Sequence, residues 1–169
     1  MKTDNDYLAS PLGALAQVKL RLTQGAPELQ PALRALTEQQ VVRLQPDGSQ
    51  PLELKRTKAL SYSRLNLLGL MSLATLAERV GVDLWNYQAP GGGSIRKALD
   101  FLLPYIKTPP QKWPYPQLTP VSPADFIPLL RQAAVAYKEP SYEQVLSGIP
   151  ASKSALVQLL HPRKETKRP

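Results

Sequence analysis

Residues 63–80 read SRLNLLGLMSLATLAERV, with Leu65, Leu68, Met71, Leu73, Leu76, Ala77 and Val80 recurring at helical spacing. Leu67 and Leu70 carry the apolar surface further around the cylinder. A helix that is apolar on most sides is stable only where neighbours cover it. The segment therefore predicts a buried central helix, and with it a fold of packed helical layers. Asn66, Gly69, Ser72 and Thr75 interrupt its apolar character, and the run is too short to span a bilayer. Gly81 stands just past its end, where a left-handed cap is expected.

The remaining signals are also helical, and no period-2 strand pattern accompanies them. Over residues 28–44, Leu29, Leu33, Leu36, Val41 and Leu44 alternate with Arg34, Glu38 and Gln39, which predicts a helix with one wet face. Gln45-Pro46-Asp47-Gly48 then reverses the chain. Ser94 is placed to cap a helix whose Ile95, Ala98, Leu99, Leu102 and Leu103 form one face, bent or ended by Pro104. The stretch KTPPQKWPYPQLTP, residues 107–120, is expected to be extended and to lie along the surface. Ser122-Pro123-Ala124-Asp125 opens a helix reaching about Tyr137, with Pro128 as a local irregularity. Short helices are expected over residues 142–147 and 152–160. The fold class is all-α, built from antiparallel helical hairpins. With 169 residues the expectation is one domain over residues 1–160, followed by a basic disordered tail, HPRKETKRP, over residues 161–169.

Composition narrows the chemistry. Cysteine is absent and His161 is the single histidine, which leaves no disulfide framework, no thiolate nucleophile and no imidazole-rich metal centre. Lys and Arg number 21 against 13 Asp and Glu, a formal charge of +8 that attracts nucleic acid, anionic lipid or acidic polysaccharide alike. The opening MKTDNDYLASPLG lacks the apolar run of a secretory signal, so the chain as written is expected to stay inside the cell.

Polar groups concentrate beside the buried helix: Glu53, Lys55, Arg56, Lys58, Tyr62 and Asn66. Several cations around a tyrosine suit a phenol for proton transfer. The plain alternative is that the lysines are solvated and Tyr62 packs with its hydroxyl wet. Trp113 and Tyr115 either line a groove for sugar rings or pin the proline-rich segment to the helices, and Trp85 is expected to anchor the loop after the buried helix. Gly91-Gly92-Gly93-Ser94 before a helix invites a phosphate cradle. It lacks a preceding strand and the Lys-Ser or Lys-Thr ending of a P-loop, which favours a flexible turn. Arg96 and Lys97 just beyond it are placed to meet an acidic chain.

Taken in order, PDGSQPLEL, an arginine, a tyrosine-serine step, an asparagine-leucine helix, GVDLW, ALDFLLPY and then WPYPQL resemble the alginate lyase domain family, over about residues 45–117. These are polysaccharide lyases built as α/α toroids. The resemblance implies antiparallel helical hairpins forming part of an incomplete α/α toroid. It also implies cleavage of an acidic polyuronate by β-elimination. In that chemistry a cationic or amide group neutralises the uronate carboxylate, a base removes the C5 proton, and a tyrosine protonates the departing glycosidic oxygen. The family's arginine and tyrosine fall on Arg56 and Tyr62, with Lys55 as the alternative register for the arginine. Lys55, Lys58, Asn66, Arg96, Trp113 and Tyr115 are the substrate-binding candidates. The implied partner is an alginate-like polysaccharide, with no metal, cofactor or membrane. Nucleic acid held by the basic tail ranks last.

One departure stands out. The family pattern includes an Asn-His pair on an earlier helix, whereas Asn5, Asn66 and Asn86 are followed here by Asp6, Leu67 and Tyr87. YLASPLG, residues 7–13, resembles the stretch before that pair, and GAPELQPALRAL, residues 25–36, the helix after it. The chain thus resembles a truncated member without its N-terminal half. Two functional readings follow: a lyase using Arg56 and Tyr62, or a non-catalytic remnant that binds acidic glycan. The family works mostly in the periplasm or outside the cell, which sets the implied location against the one expected from the N-terminus.

Overall fold

The apolar run folds as the central helix of the molecule. A computed structural model describes residues 41–107 and 110–149, together with Pro31, Arg34 and Ala35. Five α-helices follow in chain order: α1 (Pro51–Leu54), α2 (Ala59–Glu78), α3 (Ile95–Leu102), α4 (Ile127–Tyr137) and α5 (Pro140–Gly148). Single 3₁₀ turns, Leu103–Tyr105 and Pro123–Phe126, follow α3 and precede α4. Among the described residues there is no strand, only the isolated antiparallel bridges Lys58 to Gln117 and Gln88 to Ser94.

Helix α2 packs against α1, α3 and α4. Leu67, Leu70, Met71, Ala74 and Ala77 form its buried side. They share one core with Ile95, Leu99 and Leu102 of α3, Phe126, Leu129 and Leu130 around the start of α4, and Tyr142 and Leu146 of α5. Each large side chain removed from water in this way contributes about 1.5–3 kcal/mol. Coverage is not all round, as the composition of α2 alone suggests. Leu65 keeps 49% of its surface exposed, and Gly69 and Ser72 are also exposed. Ser72 and Thr75 donate their hydroxyls back to the carbonyls of Leu68 and Met71, at 2.8 and 2.9 Å, so neither requires a partner from outside the helix.

Short-range chemistry sets most boundaries. At the end of α2, Gly81 adopts φ +76° and the Val82 amide donates to the Ala77 carbonyl at 3.0 Å, a left-handed cap of the Schellman kind. Ser94 Oγ accepts from the Lys97 amide and starts α3. Pro104 converts the end of α3 into a 3₁₀ turn. Ser122 and Asp125 form a reciprocal capping box on the turn before α4. Pro128 then falls within the first turn of α4, where its missing N–H costs nothing. Lys138, left-handed at φ 52°, closes α4 and turns the chain into α5, which lies beside α4 as a hairpin. The glycine loop is a tight turn, with the Gly92 amide on the Ala89 carbonyl at 2.8 Å and the Ala89 amide on the Gly93 carbonyl at 2.9 Å. The expected helix over residues 28–44 lies largely outside the described residues, although Val41 and Leu44 are buried in the core. The helix over residues 152–160 and the tail from His161 lie wholly outside them.

The start of α2 differs from its expected place. It begins at Ala59 rather than Ser63, because the segment ending at Gln117 comes back to meet it. The Ala59 amide donates to the Pro116 carbonyl at 2.9 Å, and the Leu60 and Ser61 amides donate to Gln117 Oε1 at 2.9 and 3.4 Å. Lys58 at the N-cap contributes no side-chain bond, so the first turn depends on a partner distant in sequence.

The turn before α1 is similarly constrained. The Gly48 amide donates to the Gln45 carbonyl, the Ser49 amide donates to Asp47 Oδ1 at 2.8 Å, and Gly48 sits at φ +85°. A Cβ on Gly48 would run into the Lys97 carbonyl, whereas one on Gly91 would meet open space. Gly48→Ala is therefore expected to cost well over about 1 kcal/mol in urea unfolding and Gly91→Ala far less. Hydrogen bonds from Ser49 hold the Asp47 carboxyl below its ordinary value of 3.8, so its share of stability is present above that pH and is lost as pH falls through the lower folded value. Asp47→Asn should flatten that acid limb of the stability profile.

Candidate functional site

The corner between α1 and α2 gathers the polar residues that stand out in the sequence. Helix α1 ends at Leu54, and the exposed Lys55, Arg56 and Thr57 lead to Lys58 at the cap of α2. Arg56 folds back over Tyr62, its guanidinium carbon 3.3 Å from the ring centroid. A cation over the face of a phenol is attracted by the ring quadrupole. Arg56 Nη1 also donates to Glu53 Oε2 at 3.3 Å, with 49% of the arginine side chain still exposed. Tyr62 is half-buried in the first turn of α2, and its hydroxyl makes no hydrogen bond with any described residue.

Asn66 lies one turn beyond Tyr62 on the same face of α2. Its Nδ2 donates to Gln50 Oε1 at 2.9 Å, while Gln50 Nε2 donates to the Ser63 carbonyl at 3.1 Å. Gln50 is only 3% exposed and precedes the proline that begins α1. One carboxamide thus fastens α1 to α2 and sets the angle at which Arg56 meets Tyr62. Beside this clamp lies a small cleft lined by Arg43, Gln50, Leu52, Glu53 and Asn66. The Ser63 hydroxyl is buried without a hydrogen-bond partner among the described residues.

The WPYPQL strap borders the same corner. Trp113 packs edge-on to Tyr105 with ring centroids 4.7 Å apart, and Tyr115 lies 5.1 Å from Trp113 on the other side. At the far end, Gln117 Nε2 donates to Ser61 Oγ and to the Thr119 carbonyl while its oxygen caps α2. Trp113 therefore pins the strap by packing, and Tyr115 keeps an exposed ring.

Arg96 does not join this group. It lines a separate cleft of about 340 Å³ together with Trp85, Asn86, Gln88, Lys97 and Tyr137. There Arg96 Nη2 donates to Glu139 Oε2 at 2.9 Å, and its guanidinium carbon stands 5.3 Å from the Tyr137 ring centroid. Trp85 is 6% exposed, meets Tyr137 edge-on at 5.5 Å, and accepts the Tyr137 hydroxyl on its carbonyl at 3.0 Å, so it anchors the loop after α2. The Tyr142 hydroxyl donates to Asp100 Oδ1 at 2.8 Å. Burial pushes both of these phenols well above the ordinary range and keeps them protonated.

The first corner thus offers a half-exposed guanidinium held by one glutamate, a phenol with an unbonded hydroxyl, and flanking lysines. That set can receive a carboxylate and exchange a proton. Gln50, Gln117 and Arg43 are the members that inspection of the sequence misses. Only for Gln50 was there a local signal, since a residue before a proline at a helix start is an N-cap position.

The alginate lyase family model matches residues 22–113, more than half of the chain. The chain belongs to the alginate lyase family. A crystal structure of an alginate lyase from Bacteroides ovatus is similar to it, at 32% identity and a TM-score of 0.66 over 72% of this chain. The match occupies 33% of that structure, so the chain spans about a third of its length. No curated relative matches. The all-α architecture agrees with this membership. Within it, the corner of α1 and α2 and the strap depend on Gln117: Gln117→Ala should lower stability by about 1 kcal/mol in urea unfolding, as loss of a helix cap does.

Proposed function

We propose that the chain acts on an acidic polyuronate such as alginate by β-elimination, with Arg56 and Tyr62 as the working pair. The observation that carries this reading is the stack of Arg56 on Tyr62, which sets a guanidinium and an unbonded phenol hydroxyl side by side at an accessible corner. Loss of the C5 proton leaves negative charge on the uronate carboxyl group, and a guanidinium fixed beside it stabilises that charge most in the transition state. The electron pair forms the C4–C5 double bond, the glycosidic C4–O bond breaks, and the oxygen leaves as a hydroxyl. Tyr62 takes the C5 proton and delivers one to that oxygen. Lys55, Lys58 and Asn66 flank the pair as substrate contacts, with Tyr115 at the edge of the strap.

A carboxylate that reaches Arg56 joins Glu53 on the guanidinium, which presents five N–H donors, or displaces it. An exposed i,i+3 ion pair is worth only about 0–1 kcal/mol, so the exchange costs little. The second reading, acidic-glycan binding without turnover, is favoured by the absence of an Asn-His step from this sequence.

Ultraviolet absorbance of unsaturated uronate, followed with alginate as substrate, separates the two. Turnover that falls about 10²–10⁴-fold in Tyr62→Phe and about 10²–10³-fold in Arg56→Ala is the expected result. Salt-sensitive binding with no absorbance change would leave the chain a glycan-binding module. Tyr62→Phe at wild-type rate would remove the tyrosine from the chemistry.

A further inference from the structure

The Arg56 corner has a counterpart. In both places an arginine side chain about half exposed lies over a tyrosine ring and pairs with a glutamate: Arg56, Tyr62 and Glu53 in the first, Arg96, Tyr137 and Glu139 in the second, where the Asp100 carboxylate also acts on the guanidinium. The two differ at the phenol. The Tyr62 hydroxyl makes no hydrogen bond among the described residues, whereas the Tyr137 hydroxyl is committed to the Trp85 carbonyl at 3.0 Å. The second trio also faces a formed cleft of about 340 Å³, with Lys97, Asn86 and Gln88 on its walls together with Asp100, whose Oδ1 accepts from the Tyr142 hydroxyl at 2.8 Å. Lys97 Nζ uses one N–H on the Gly92 carbonyl at 2.8 Å and has two others to give.

We propose that the cleft between the loop after α2, the start of α3 and the end of α4 is a second, non-catalytic site for an acidic sugar unit, its carboxylate held by Arg96 and Lys97. The choice of sugar rests on the polyuronate reading above; the site itself rests on the cleft. Arg96 spends one N–H on Glu139 and lies near the Tyr142 hydroxyl and the Asp100 carboxylate, and of its five N–H donors it keeps others for an incoming carboxylate. The amide nitrogens of Asn86 and Gln88 already donate to Asp83 Oδ2 and the Gly92 carbonyl, which leaves their oxygens to accept from sugar hydroxyls, and Tyr137 offers part of an aromatic wall. With its phenol oxygen already donating to a backbone carbonyl, Tyr137 has no proton free to move. The site binds and does not cleave.

The two tryptophans of the chain fall in the two regions, Trp85 in this cleft and Trp113 in the strap, so their indole N–H resonances report each separately. The test is a titration of the ¹⁵N-labelled full chain with a saturated alginate tetrasaccharide, the two signals assigned with Trp113→Phe. The Trp85 signal should move. Arg96→Gln and Lys97→Met should each weaken that response about tenfold, equivalent to about 1.4 kcal/mol, while an unchanged Trp113 signal in the free variants certifies the fold. Glu139→Gln should strengthen it by removing the competing carboxylate. Tyr62→Phe and Arg56→Ala should leave it in place whether or not the chain turns alginate over, which separates this site from the catalytic reading. A Trp85 signal that stays fixed, an equal response to a neutral tetrasaccharide, or a response lost in Arg56→Ala would each overturn the second site.

Discussion

Helix α2 carries the core on one side and the Arg56 corner at its beginning, yet it has no cap of its own. Its first amides are satisfied by the Gln117 side chain, which lies 57 residues from Leu60, and by the Pro116 carbonyl. Orphan amides at the start of a helix fray unless something accepts from them. Once Gln117 accepts, the first turn becomes rigid at Ala59 and Leu60, and Tyr62 is held half a turn further on. The proline-rich strap that carries Gln117 is in turn fixed by Trp113 among Phe101, Tyr105 and Tyr115. Prolines are well used in such a strap, because a chain with few accessible conformations loses little entropy when it is pinned.

Gln50 does for the other side of the corner what Gln117 does for the strap. Both are uncharged, both are anchored at the oxygen and the nitrogen of the carboxamide, and both join segments distant in the chain. Amides suit this duty better than carboxylates here. A carboxylate accepts only, and could not donate to the Ser63 carbonyl or to Ser61 Oγ. The structural polar contacts of the corner are thereby kept neutral, and charge is left to the exposed Lys55 and Arg56 and the partly buried Lys58.

Much of the fold was legible in the sequence wherever the cause is local. Gly81, Ser94, Pro104 and the box of Ser122 and Asp125 act within a few residues of the boundaries they set, and each boundary follows from them. The beginning of α2 was not legible, because its cap comes from Gln117. Nor was the exposed stripe at Leu65, Gly69 and Ser72, since composition reports how apolar a helix is and not how many neighbours it has. In the candidate site, Arg56 and Tyr62 stand together as their spacing suggests, and Asn66 joins them by helical periodicity. Arg96 lies elsewhere because it sits in the first turn of α3, where it meets Glu139, 43 residues on, at the end of α4. No local pattern contains that information.

The pairing of each arginine with a glutamate bears on how a basic protein handles an acidic polymer. A guanidinium buried without a partner is costly, and one fully exposed binds any anion. Arg56 and Arg96 take a middle course: each is oriented over a ring and partly neutralised by a carboxylate at the surface, where the pair is worth little. On the polyuronate reading proposed above, a uronate that displaces or joins the glutamate meets a guanidinium already in position, so the loss of side-chain freedom on binding is reduced. The incoming carboxylate competes with one already there, which weakens attachment of any single sugar unit. A polymer offers many units to several such positions, and an effective concentration in the mM range for linked groups can offset weak single contacts. Weak, repeated and exchangeable holding would let a chain be bound along its length and still be released, as the lyase activity proposed above requires.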